Sequence, residues 1–397
     1  MRCLLLVGFG NIAREFFITY ICGNLYWYPI VVVLRVNTWC YKCLINRYLY
    51  RSTIKVIVLV SYKGIVNFNT CLVVELIGDN YYSKDLLLRT LLTANYLVTA
   101  NKFLLYKNIR LVAPYLFTRI FFEAAVGGGV PFVKNLLKLR TIATIKSCCA
   151  IFNGTTNYLL TTLLTNSFSL TTALRLSTSL GLSEANPIKD ICGFDALNKI
   201  IITAYLLYGN YSFGRYLYMV PMPVFKGFYW LVFNLGYVCR YISFFIAKGC
   251  SFHLEVSLCL FRTINTFTLT YFDYNSVILT TKAHGFFTSI AKGAGAIVTT
   301  YSLLSDLEYL QTCCRSNVCM YANSRLYSVC LIRSYYMFLL TIYTVPRFFM
   351  LLLLMRCNVS FFLTTKLVVF FKSRLAFASL KRVLAYFKGS VLYYRIL

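Results

Sequence analysis

A chain of 397 residues with 40 Lys and Arg against 12 Asp and Glu carries a formal charge of +28, and 59% of its residues are hydrophobic. The charge invites a nucleic-acid reading, but the basic residues are scattered with no arginine-rich run, zinc finger or aromatic RNA-binding signature, so no nucleic-acid partner is expected. The hydropathy invites a membrane reading, yet a spanning helix takes about 20 mainly apolar residues, and the best candidate, Phe16 to Leu34, is broken by Gly23, Asn24 and Pro29.

The run Phe348 to Leu354 is short and bracketed by Arg347 and Arg356. At the N-terminus, Leu4 to Val7 is interrupted by Gly8 and Gly10 and followed by Arg14 and Glu15, unlike a secretory signal. The expectation is a cytoplasmic protein without membrane association, in which the 16 Cys act as small apolar residues. Cys40 and Cys43 form one CxxC, Cys313, Cys314 and Cys319 form a loose group, and only His253 and His284 could join them, so no zinc site is expected. The acceptor Asn153-Gly154-Thr155 has no meaning without secretion.

At this length two or three domains are expected. The first opens with an apolar strand, Cys3 to Val7, then Gly8-Phe9-Gly10-Asn11-Ile12-Ala13, then a helix and a second strand near Ile30 to Arg35. This is the GxGxxA form of a dinucleotide fingerprint: glycine permits a tight turn and close backbone approach, and the helix N-terminus faces a pyrophosphate. No acid stands after the second strand to bind a ribose hydroxyl. Arg35-Val36-Asn37 stands there instead, which favours a 2′-phosphate.

Acids are rare, yet Glu184, Asp190 and Asp195 fall within the twelve residues 184–195. The segment Phe194 to Gly209 reads as an apolar helix, which places Asp195 and Lys199 at i and i+4 on one face, acid before base. An ordinary pair on a solvated face is the plain alternative. Three clustered acids beside Gly193 and Pro187 point instead to a polar site.

Several segments then fall into one order: Gly8 to Ala13, Val74-Glu75-Leu76-Ile77-Gly78, Val98-Thr99-Ala100-Asn101-Lys102, Phe122 to Pro131 with its Gly127-Gly128-Gly129, Phe152 to Tyr158, the 181–199 stretch, and Lys292-Gly293-Ala294-Gly295 followed by Thr299 and Asp306. In sequence and spacing this series resembles homoserine dehydrogenase. The resemblance implies an α/β protein: a Rossmann-type dinucleotide-binding domain over 1–130 completed by the helix after Gly295, an α+β substrate and dimerisation domain over 131–310, and a degenerate ACT-like α+β domain over 325–397. In the last, Tyr335 to Ile342 and Leu392 to Ile396 would be strands and Ala376 to Phe387 a helix. Thr344-Val345-Pro346-Arg347 replaces the usual Asp-x-Pro-Gly turn.

The resemblance also implies the reaction, an NADP- or NAD-dependent interconversion of L-aspartate 4-semialdehyde and L-homoserine in threonine and methionine biosynthesis, by a homodimer or homotetramer. Gly8, Gly10, Asn11, Ile12, Arg35, Thr99 and Gly293 would hold the dinucleotide. Lys102 would lie near nicotinamide and substrate, Lys199 would donate the proton, and Asp195 would hold and tune it. Glu184 and Asp190 would bind the substrate ammonium. Glu123, with main-chain oxygens of Val126, Gly128 and Val130, would hold a monovalent cation such as sodium. Departures are Ala13 for a frequent third glycine, Asn186 and Lys189 where acids are frequent, and Val298 for a proline. A catalytically impaired remnant is the alternative; the survival of the clustered acids in an acid-poor chain argues against it.

Overall fold

The computed structural model describes residues 4–22, 30–33, 45, 56–59, 72–78, 81–93, 95–165, 168–183, 187–208, 217–223, 229, 232–234, 236–248, 251–316, 335–341, 360–363, 368–373 and 391–396. The first sheet is built from short aliphatic runs: β1 (Leu4–Val7), β2 (Ile30–Val33), β3 (Val56–Leu59), β4 (Leu72–Glu75), β5 (Tyr96–Thr99) and β6 (Ile120–Phe121). All pair in parallel, in the order β3-β2-β1-β4-β5-β6. Unbroken apolar runs suit strands covered on both faces, and all four residues of β1 are buried. Helices α1 (Asn11–Cys22) and α2 (Tyr81–Leu92) follow β1 and β4. The strand order reverses between β1 and β4, where a doubly wound sheet opens its crevice beyond the carboxyl ends of the strands. The candidate membrane span resolves into the end of α1 and β2. Among the described residues no helix is long and apolar enough to cross a membrane.

Helices α3 (Lys102–Lys107), α4 (Ile109–Val112) and α5 (Phe132–Ile142) lead to a second sheet. It contains β7 (Ile145–Ile151), β8 (Leu217–Met219), β9 (Val238–Lys248), β10 (Ser251–Phe261), β11 (Tyr274–Thr281) and β12 (Phe286–Lys292), in the order β12-β11-β7-β9-β10 with β8 beside β10. Between β7 and β8 run α6 (Gly154–Thr165), α7 (Leu170–Ser179), α8 (Ile188–Ile191) and α9 (Phe194–Tyr208). Helix α9 is mainly apolar and is buried from Asp195 to Leu207, as a helix in the middle of a large core is, with Asp195, Asn198, Lys199 and Thr203 its polar exceptions. Its Ile200 and Leu206 share one apolar cluster with Phe245 and Leu258 of the sheet, and it packs against α3.

The long helix α10 (Ala296–Ser316) returns to the first sheet. Leu303, Leu304, Leu307 and Leu310 join Phe16, Phe17 and Tyr20 of α1 in one apolar cluster. Beyond it lie β13 (Tyr335–Thr341), β14 (Ser360–Leu363), β15 (Val368–Ser373) and β16 (Val391–Ile396), antiparallel in the order β16-β13-β15-β14, which is that of a βαββαβ unit. β16 also pairs with β10 in parallel, at Cys259↔Arg395 and Leu260↔Ile396, so the tail extends the second sheet. The two expected tail strands are present, with two more between them. The expected helix Ala376 to Phe387 and the turn Thr344 to Arg347 lie outside the described residues.

Candidate active site

The glycine fingerprint sits at the switch point. Gly8 has φ +102° and a Cβ there would lie 2.6 Å from the Leu76 carbonyl oxygen, so only glycine fits. The contact draws the ends of β1 and β4 together, closed by the Leu76 N–H donating to Val7 O at 2.9 Å. Gly10 and Asn11 are exposed and Ile12 is half-buried at the start of α1. Main-chain N–H groups and the positive end of a helix dipole offer an anion site there. Arg35 lies outside the described residues.

A second group closes the crevice floor. Thr99 donates its hydroxyl to Glu75 Oε2 at 2.6 Å and accepts from the Asn101 N–H at 2.9 Å. Asn101 caps α3, its Oδ1 accepting from the Leu104 N–H at 3.0 Å, while its Nδ2 donates to Gly78 O at 2.8 Å. The next residue is Lys102, so the cap delivers its side chain to the face where α3 meets α9.

There Asp195 receives two ammonium groups. Lys102 pairs with Oδ1, and Lys199, one turn along α9, pairs with Oδ2 at 3.0 Å. The side chain of Lys102 is 40% exposed and that of Lys199 only 8%, so the i,i+4 pair is buried rather than on a solvated face. Lys199 Nζ also donates to Phe152 O at 2.6 Å. Asn153 Nδ2 donates to both Asp190 Oδ1 and Asp195 Oδ2 at 2.8 Å, and its own Oδ1 accepts from the Thr156 N–H at 2.7 Å. Burial pushes the Asp195 carboxyl up, but Lys102 and Lys199 more than reverse this and hold it well below the ordinary range. Burial lowers the Lys199 ammonium, opposed by Asp195. Burial, then the charge of Asp195, raises Asp190. Glu184 lies outside the described residues.

The glycine turn before α5 meets the late glycine motif. A Cβ on Gly128 would fall 2.4 Å from Gly293 O, and Gly129 N–H donates to Lys292 O at 2.8 Å. Gly128 O accepts from Ser302 Oγ at 2.8 Å. The Glu123 carboxylate accepts from the Val133 and Lys134 N–H groups at the start of α5, at 2.7 and 2.9 Å. Asp306, from α10, accepts from the Glu123 N–H at 2.8 Å and pairs with Lys134 at 3.2 Å. Burial, then Asp306, raises the Glu123 carboxyl to about 7, and burial raises Asp306 to about 6. Among the described residues no group of three or more His, Cys, Asp or Glu could hold a metal ion.

The structure thus brings together Lys102, Asp190, Asp195 and Lys199, and separately the Glu123 turn and Gly293. Sequence reasoning assigned no task to Asn153 or Glu75. Glu75 carried a signal, an acid ending an otherwise aliphatic strand in a chain with only 12. Asn153 carried none, because a lone Asn before a helix reads only as a cap.

A family model described as homoserine dehydrogenase matches residues 131–307. Among curated proteins, the homoserine dehydrogenase of Bacillus subtilis is 28% identical over 245 residues, covering 59% of this chain and 55% of that protein. That of Helicobacter pylori is 40% identical over 139 residues, 35% of this chain and 33% of that protein. The matched sequence therefore spans from a third to about half of these relatives. Among solved structures, a homoserine dehydrogenase from Thiobacillus denitrificans superposes with a TM-score of 0.79 at 18% identity, covering 100% of this chain and 98% of that one. One from S. aureus gives 0.74 at 17% identity, with the same coverage. These two show a shared fold. The span of the family match contains Asn153, Asp190, Asp195 and Lys199, so sequence and geometry meet on the same residues, and over 131–307 the chain is similar to the homoserine dehydrogenases.

Proposed function

We propose that the chain interconverts L-aspartate 4-semialdehyde and L-homoserine with NADP or NAD, as a cytoplasmic homodimer or homotetramer serving threonine and methionine biosynthesis. In this reading residues 1–130 hold the dinucleotide, 131–310 the substrate, and 325–397 form an ACT-like appendage. The observation that carries it is a single buried carboxylate, Asp195, shared by two ammonium groups of which one opens to the crevice and one is enclosed. When bound, the nicotinamide supplies the hydride that reduces the aldehyde carbon, or takes it back from homoserine.

Negative charge then develops on the aldehyde oxygen and has to be met by placed cationic donors. Lys199 has three N–H donors; two are taken by Asp195 and Phe152 O, leaving one for the substrate oxygen. Its burial-lowered pKa makes it readier to release that proton. Lys102, more exposed, meets substrate and nicotinamide on the crevice side. Asp195 stays ionised and orients both lysines. Asp190, held by Asn153, and Glu184 bind the substrate ammonium. Gly8, Gly10, Asn11, Ile12, Thr99 and Gly293 line the dinucleotide site, and Arg35 favours a 2′-phosphate. Glu123 and the main-chain oxygens of Val126, Gly128 and Val130 hold a monovalent cation such as sodium; the Glu123 oxygens also accept two helix N–H groups and Gly128 O accepts from Ser302 Oγ, and a bound cation would favour the ionised form of Glu123 against its raised pKa.

The test is a spectrophotometric assay of the purified protein with homoserine and each dinucleotide. Homoserine should drive reduction of both, with kcat/KM for the phosphorylated form at least equal to that for the other. No reduction with either sinks the reading. A tenfold preference for the unphosphorylated form shows that Arg35 does not read the phosphate.

A further inference from the structure

Glu75 takes no part in the proton transfer, yet it is a fully buried carboxylate at the crevice end of β4. A buried carboxylate is costly unless its oxygens are well met. Here four groups meet them: the Ile77 N–H at 3.2 Å, Ser83 Oγ at 3.1 Å and Asn101 Nδ2 at 3.4 Å on Oε1, and Thr99 Oγ1 at 2.6 Å on Oε2; the one Ser83 hydrogen is shared with Gly78 O at 2.7 Å. No ion pair to Glu75 occurs among the described residues. Burial raises the Glu75 pKa and these hydrogen bonds, that of Thr99 foremost, pull it down, so the carboxyl is met by dipoles alone, which works only while every donor stays aimed. They come from three parts of the crevice wall. Ile77 lies in the turn after β4, the turn that Gly8 touches; Ser83 lies in α2; Thr99 and Asn101 form the turn after β5. Asn101 then caps α3, whose first residue is Lys102.

We propose that Glu75 is a positioning residue for Lys102: by fastening the turn after β4 to the turn after β5 it fixes the start of α3, and with it the placement of the Lys102 ammonium against Asp195. The proposal deepens the function proposed above and rests on it for the kinetic part of its test. Glu75→Gln should weaken the network without touching Lys102 itself: on the Oε1 side its N–H₂ would face the Ile77 and Asn101 N–H groups, and on the Oε2 side the Thr99 hydroxyl, which already accepts from the Asn101 N–H.

The experiment is a double-mutant cycle of Glu75→Gln with Lys102→Ala, read as kcat and dinucleotide Kd, together with the rate of acetylation of Lys102 by acetic anhydride followed by mass spectrometry. Glu75→Gln should lower kcat about tenfold or more in the wild-type background and less than twofold in Lys102→Ala, with Kd changed less than threefold. Acetylation of Lys102 relative to Lys282 should rise at least threefold. Equal kcat losses in both backgrounds, or unchanged acetylation, overturn the proposal. If the wild-type protein does not turn over homoserine at all, the functional reading fails, and the acetylation ratio alone decides whether Glu75 places Lys102. Should Glu75→Gln not fold, Ser83→Ala, which removes one of the four bonds, is put through the same measurements: at least a twofold loss of kcat confined to the Lys102 background, or a matching rise in acetylation, supports the proposal, and neither refutes it.

Discussion

Asp195 balances one charge against two ammonium groups, so the two lysines are not equivalent when removed. Lys199→Ala leaves Asp195 paired with Lys102 but removes the enclosed proton source; turnover should fall roughly 100-fold or more, the usual contribution of a placed acid. Lys102→Ala should be comparably damaging, whereas Lys282→Ala, remote from the cluster in sequence, should change turnover little. Steady-state kinetics on the three proteins decides it, and near wild-type turnover in Lys199→Ala removes that residue from the mechanism. At this scale Asp195 and Lys199 could be read from the chain because acid scarcity and the i,i+4 spacing single them out, whereas Lys102 came only through the resemblance. Asn153 could not. Its role depends on Asp190 and Asp195 arriving from 37 and 42 residues away, which only the fold decides.

The junction of α5, α10 and the glycine turn ties stability to pH. Glu123 and Asp306 have carboxyls raised to about 7 and about 6 by burial. A carboxyl raised above its unfolded value binds protons more tightly when folded, so its contribution is greatest in acid and is lost as pH rises through the folded value. Each should cost roughly 1 kcal/mol or more between about pH 4.5 and 7.5. Asp195 has the opposite sign: its depressed carboxyl stabilises above the ordinary carboxylate range and is lost only in strong acid. The expected outcome is a Tm that falls from pH 5 to pH 8, with the slope reduced in Asp306→Asn. A Tm rising over that window contradicts it. Elements were legible in proportion to their periodicity. The first two parallel strands read directly, as short aliphatic runs on either side of a glycine fingerprint and a helix, and α9 read directly as an apolar helix; β3 to β6 were not read as strands. Nor were β14 and β15, since in a tail of uniform Tyr, Phe and Leu neither a two-residue nor a four-residue alternation stands out.

Across the whole molecule, the tail continues the sheet that backs the catalytic helices, which is where an effector domain would have to act. Threonine should nevertheless inhibit weakly or not at all. The sequence from 320 to 397 contains no Asp or Glu to pair with an effector ammonium, and Arg347 stands where the ACT turn has glycine. An effector without differential binding shifts nothing. Titrating threonine to millimolar levels in the assay tests this; saturable inhibition abolished by deleting residues from about 330 onward would overturn it.

The return of α10 to α1 also sets the order in which the protein can assemble. The leucines that share a cluster with Phe16, Phe17 and Tyr20, Leu303 to Leu310, come almost three hundred residues later in the chain. Contacts of such sequence separation form slowly, since loop closure precedes any gain from them. The apolar cluster of the first sheet is therefore complete only once α10 has docked on α1. In refolding followed by pulsed hydrogen exchange, the amides of α1 should gain full protection together with those of α10 and after those of α6 and α9; protection of α1 ahead of α10 would show that the first sheet closes without its last helix.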